Sequence, residues 1–203
     1  MKARDIPPMQ TALADLSPHF STFYDAFESG TDHGKGYFEK YGFPFNPWLH
    51  ANLVRNWVKN ILDKHDLKTQ FESEELANSG LQLSINQWFV RIRKSLHGEV
   101  PSPGRSKALQ AYYRQYRQLL LPEEFSVMHN LLLLWHATSK GDFQGLSLVY
   151  PLSADMMRWR AEIPHPAQST NILTTYQAAF DELGDLEIEP LDEGDEDIEA
   201  EGQ

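Results

Sequence analysis

From Leu81 to Ile92 the chain alternates apolar and polar residues in two short runs that are out of step. Leu81, Leu83 and Ile85 fall on odd positions, whereas Trp88, Val90 and Ile92 fall on even ones. A period of two marks an extended strand with one buried face. A change of parity cannot occur inside one regular strand without turning the buried face outward. A bulge or a tight turn is therefore expected near Asn86.

Other segments carry the helical period. Asn46 and Pro47 suit an N-cap and a first helical residue, and Val54, Trp57, Val58, Ile61 and Leu62 recur at three and four. A helix is predicted over 47–65. Two short helices are predicted within 8–28, separated by Ser17-Pro18, and another over 105–121 with Leu109, Tyr112, Tyr113, Tyr116 and Leu120 on one stripe. A short helix around Ser73–Ala77 and a last one over 171–183 complete the set. Glycines at 30, 34, 36 and 42, with Pro44, read as a loop over 29–46. That loop is rich in rings, with Tyr37, Phe38, Tyr41, Phe43 and Phe45. Rings at this density line a ligand groove, or simply pin a long loop onto the core. Leu131–Thr138 and Leu146–Leu152 read as strands joined by a Gly-containing hairpin loop. No βαβ alternation is visible. The fold class is α+β: a small, mostly antiparallel sheet packed against four to six helices, with a disordered acidic C-terminal tail.

The charge is divided. The 203 residues carry 18 Lys+Arg and 29 Asp+Glu, a net of −11. Twelve of the acids lie in Asp181–Gln203, which has no Lys or Arg, so residues 1–180 are close to neutral. One globular domain is expected over 1–183, mainly helical over 1–65 and mixed over 81–183. An acidic tail follows over 184–203. The tail interleaves Leu186, Ile188, Leu191 and Ile198 with its acids. It is either a solubilising appendage or a segment that docks on a basic surface.

Several chemistries are excluded. With no cysteine there is no disulfide, thiolate metal site or thiol nucleophile. The eight histidines show no HxH or HExxH spacing, so neither a metal nor another cofactor is implied. The segment Gly98–Lys107 fails as a phosphate loop, because its glycines are too far apart and its prolines lack the N–H groups that cradle phosphate. There is no GxSxG elbow, and the strand ending Arg91-Ile92-Arg93-Lys94 lacks the carboxylate of a metal-dependent nuclease. The first ten residues lack the apolar stretch of a secretory signal, and the longest aliphatic run is Leu131–Leu134. A soluble, cytoplasmic protein with no membrane contact is expected.

What remains is a concentration of cations. Arg91, Arg93, Lys94, Arg105, Lys107, Arg114 and Arg117 lie close together in sequence, with Ser106 beside them at a helix start. With Trp88, Val90 and Ile92 inward, Arg91 and Arg93 share the opposite side of the strand. Arg114 and Arg117 are adjacent on a helix face. Such a face binds anions or nucleic acid, or docks an acidic protein segment, or is an ordinary solvated surface. Ser106 reads first as a plain helix cap. Catalytic candidates are Asp32 and His33, adjacent in the glycine-rich loop, and Lys94. No catalytic constellation can be assembled from spacing. The sequence therefore reads as a non-enzymatic binding or regulatory protein whose basic strand–helix face engages an anionic partner, with the acidic tail competing for that face. The alternative is a small enzyme acting on a phosphate-bearing or anionic substrate, its site assembled from dispersed residues.

Overall fold

The computed structural model describes residues 7–65, 71–76, 80–96, 98–115, 128–153 and 155–166, all within one unit, Met1–Gln168. In chain order the elements are α1 (Met9–Leu16), one turn of 3-10 helix (Ser17–His19), α2 (Phe20–Tyr41), α3 (Pro47–Lys64), β1 (Phe71–Leu76), β2 (Gly80–Ile85), β3 (Trp88–Ser95), α4 (Lys107–Tyr113), β4 (His129–Ala137), β5 (Phe143–Pro151) and β6 (Met157–Ile163). The six strands form one sheet in sequence order. The class is α+β. The parity change is a tight turn: Asn86 adopts positive φ between Ile85 and Trp88, which pair across the hairpin.

The sheet is mixed. β3 and β4 are parallel, and the other four neighbouring pairs are antiparallel. A parallel pair needs a crossover, and α4 lies in it. The described residues thus include a βαβ unit where no alternation was expected. β4 is central, with a parallel neighbour on one side and an antiparallel one on the other, and all nine of its residues are buried. That explains its unbroken Leu131–Leu134 run.

Three further expectations are corrected. Residues 29–46 are mostly helix, because α2 continues through Gly30, Gly34 and Gly36. Gly30 and Gly34 lie one turn apart, so they share a face, and that face meets α3. A Cβ on Gly34 would sit 2.8 Å from the His50 ring, and one on Gly30 would touch Val54 and Val58 at 3.4 Å. These glycines bring two helices close together rather than breaking one. Residues 73–76 belong to β1, paired with β2, and are not helical. The predicted 105–121 helix is α4, which stops at Arg114; Gln115 has positive φ. Tyr116, Leu120, the 171–183 helix and the acidic tail lie outside the described residues. Among the described residues three helices, α1 to α3, pack in the N-terminal part, and α4 adds only two turns. Only with α4 counted do the described residues reach the lower bound of the four to six helices expected.

The two faces of the sheet are covered differently. On one face, rings of α2 meet rings of the sheet: Phe27 stacks with Trp135 at 5.8 Å between centroids, and Tyr24 meets Phe143 edge-on at 5.7 Å. The Trp88 indole donates to Asp15 of α1 at 2.7 Å, so this buried ring leaves no polar atom unmet. On the other face, Tyr112 and Tyr113 pack with Leu132, Leu134 and Val149. The Tyr112 hydroxyl lies between the carbonyls of Phe89 and Leu131, at 2.6 and 2.7 Å, and so ties the two parallel strands together. Gln115 donates to the Asn130 carbonyl and accepts from its N–H, anchoring the end of α4 to β4.

Candidate functional site: a cationic notch in the sheet

β3 is longer than its neighbour β2. Their pairing ends at Leu81 opposite Ile92, whereas β4 accompanies β3 through Arg93, Lys94 and Ser95. The last three residues of β3 therefore run past the β2 ladder and leave a notch. Alternate residues of a strand point to opposite faces, and a notch is open to both. Arg91 and Arg93 reach it from the α4 face, and Lys94 from the α3 face. Ala51 and Arg55 of α3 close one side, and Ser106 and Leu109 close the other. The resulting cleft of about 330 Å³ is lined by Arg55, Arg91, Arg93 and Lys94, with Gly80, Ile92 and Trp135. Among the described residues no carboxylate lines it. β1 places Glu74 opposite Gln82, which is in turn opposite Arg91. Two strand spacings, roughly 10 Å, separate those backbones.

Each cation is held by its surroundings. The Arg93 guanidinium donates to the Ser102 carbonyl at 3.4 Å. The Arg91 guanidinium lies over the Tyr112 ring at 5.2 Å. Arg55 donates to Asn52 Oδ1 one turn back on α3. The Lys94 amine lies 5.2 Å from the centre of the Trp135 ring, and burial pushes it below the ordinary lysine range. Behind that ring is His50, fully buried between α2 and the sheet, its centroid 6.4 Å from that of Trp135. His50 Nε2 faces the Thr31 carbonyl at 3.3 Å, and burial, aided by Lys94, pushes its imidazole down.

The remaining candidates separate. Ser106 caps α4, accepting from the Leu109 N–H at 3.3 Å, while it also lines the notch. Arg105 and Lys107 flank it, both exposed. Arg114 is exposed at the far end of α4, and Arg117 lies outside the described residues. Asp32 and His33 sit on α2 and not on a loop, and the His33 ring stacks on Trp57 at 3.8 Å. Among the described residues no group of three or more metal-ligating side chains occurs.

Two features escaped the sequence reading. Arg55 joins the notch from a helix remote in sequence, and only the fold brings it there. A Ser–His–acid set lies on β4 to β6: His136 Nε2 meets Ser147 Oγ at 2.9 Å and Glu162 at 4.0 Å. This is not a nucleophile site. Both partners face the same nitrogen, whereas a catalytic histidine uses one nitrogen for each. Ser147 is also fully buried.

Comparison with protein-family models, with curated proteins and with solved structures yields no match. The class that fold and site define is a mixed-sheet α+β protein with a cation-lined cleft at the end of its parallel strand pair. Among the described residues no helix is long and apolar enough to cross a membrane.

Proposed function

We propose that the protein is a non-enzymatic binding or regulatory protein that engages an anionic partner, nucleic acid or an acidic protein segment, at this notch. One observation carries the reading: four cationic side chains from two elements line one cleft that no described carboxylate lines. Concentrated positive charge in a concave site attracts polyanions and releases their counterions. Arg and Lys contribute differently. Planar guanidinium groups grip phosphate or carboxylate through two N–H bonds, and the lysine acts as a point charge. The acidic residues beyond Asp181 would compete for the same charge, in cis or between molecules.

The test is binding of a labelled anionic oligomer to the full chain and to a chain lacking 184–203, over a range of salt. The affinity should fall steeply with salt, and the truncation should strengthen it. An affinity indifferent to salt would overturn the reading, and one unchanged by truncation would remove the tail from it.

A small enzyme acting on an anionic substrate has one observation in its favour. Lys94 is half-buried, with its amine held below the usual range, the state in which a lysine acts as a base or nucleophile.

A further inference from the structure

We propose that the anionic partner is an unpaired nucleic-acid strand, with a base stacked on Trp48 and phosphates held by Arg93 and Lys94. This rests on the anion-binding reading above and names its partner.

Among the described residues Trp48 is the most exposed of the large apolar side chains, at 75%. Its place explains why that matters. It stands at the start of α3, just after the Asn46 cap, whose side chain accepts from the Trp48 and Leu49 N–H groups at 3.0 Å. Residues 48, 52 and 55 are four and three apart, so they form one row along the helix. The row is fixed by its own bonds: Asn52 Nδ2 donates to the Trp48 carbonyl at 2.9 Å, and Asn52 Oδ1 accepts from Arg55. Ala51 and Arg55 of the same stretch line the notch. The indole thus stands at the approach to the cationic cleft, about 10 Å along the helix axis from Arg55.

The other exposed rings are arranged differently. Tyr41 and Phe43 stack on each other at 6.2 Å, and Tyr37 lies 4.9 Å from Tyr41. Among the described residues no ring contacts Trp48. An exposed indole stacked on no described ring, beside a cleft lined by four cations, is the pairing that single-strand binders use. Bases stack on rings while a basic groove tracks the backbone. A duplex keeps its bases stacked internally and leaves the indole unused. A purely acidic peptide such as polyglutamate engages the cations and has no flat ring system to offer Trp48.

The experiment measures fluorescence anisotropy of the full chain with three probes: a twelve-residue oligothymidylate, the same oligomer annealed to its complement, and a polyglutamate of equal charge. The variants are Trp48→Ala, Trp48→Phe and the double change Arg93→Gln with Lys94→Gln. Circular dichroism shows that each is folded. The unpaired oligomer should bind most tightly. Trp48→Ala should weaken it about tenfold, with Trp48→Phe recovering much of the loss, and neither should alter polyglutamate binding. The double variant should weaken every anion and flatten the salt dependence. Tighter binding of duplex or polyglutamate, or a Trp48→Ala protein that holds the oligomer like the parent, overturns this inference while leaving an anion site. If the double variant binds all three probes unchanged, the anion-binding reading itself fails.

Discussion

The two halves of β3 obey the same alternation and come to different ends. At its start Trp88 lies opposite Ile85 of β2 and alongside His129 of β4, and it is fully buried. At its end Lys94 pairs, among the described residues, with β4 alone, and it faces a cleft. Both residues occupy the same face, three steps of two apart. What separates them is a neighbour. Where both ladders are complete, the inward position must be apolar or fully satisfied. Where one ladder stops, the same position can carry a charge, because solvent reaches it from the side. Strand length thus decides which alternating residues become core and which become site.

The largest effect that tests this contrast lies at the paired end. Trp88→Ala removes a buried indole and leaves Asp15 with only the longer bond from Gln87, at 3.5 Å, and should cost roughly 3–5 kcal/mol. Urea denaturation followed by circular dichroism gives the value. Any loss of anion binding should then track the fraction unfolded. A folded Trp88→Ala protein that has lost its affinity would mean that the two halves are not separable.

The pattern around β3 was legible because it is local. Period-two alternation and its change of phase at Asn86 need no knowledge of the rest of the chain. The same holds for α3, announced by Asn46 and Pro47. The misreading of α2 has a physical cause: a glycine that ends a helix and a glycine that admits a second helix look alike until the partner is known. Gly30 and Gly34 are of the second kind. β6 went unread although Met157, Trp159, Ala161 and Ile163 alternate with charged residues, a signal that sequence alone contains. The site was legible only as a list of cations. That β2 stops short of β3, and that Arg55 of α3 closes the gap, are facts of tertiary structure. No spacing in the sequence encodes them.

A smaller effect concerns the wall behind the notch. Burial holds the imidazoles of His19, His50 and His136 below their ordinary value of 6.5, although Glu162 partly offsets this at His136. Below pH 6.5 the unfolded chain takes up protons that the native protein refuses, so stability falls with pH. The contribution is complete above 6.5 and is lost progressively as pH falls toward the lowered native values. Urea midpoints should therefore drop between pH 7.5 and pH 5.5, and His50→Gln should make that drop smaller. A midpoint constant across this range would mean that these rings accept protons in the native state as easily as in water. His50 would then not be shut off from the notch by the Trp135 ring.

The smallest effect on stability is expected at the unpaired end of β3, at a residue of the binding site. Lys94→Met keeps the length of the stem, which lies against Trp135, and removes only the amine. Among the described residues no carboxylate pairs with that amine, and burial already disfavours its charge. Removing it abolishes no ion pair described here and relieves a desolvation cost, so stability should stay within about 1 kcal/mol of the parent. Binding of the unpaired oligomer should nonetheless weaken and become less sensitive to salt, by about one counterion. The opposite pattern, a destabilised protein with undiminished affinity, would place Lys94 with Trp88 as a residue of the core. The unpaired end of β3 would then be only a gap in the sheet.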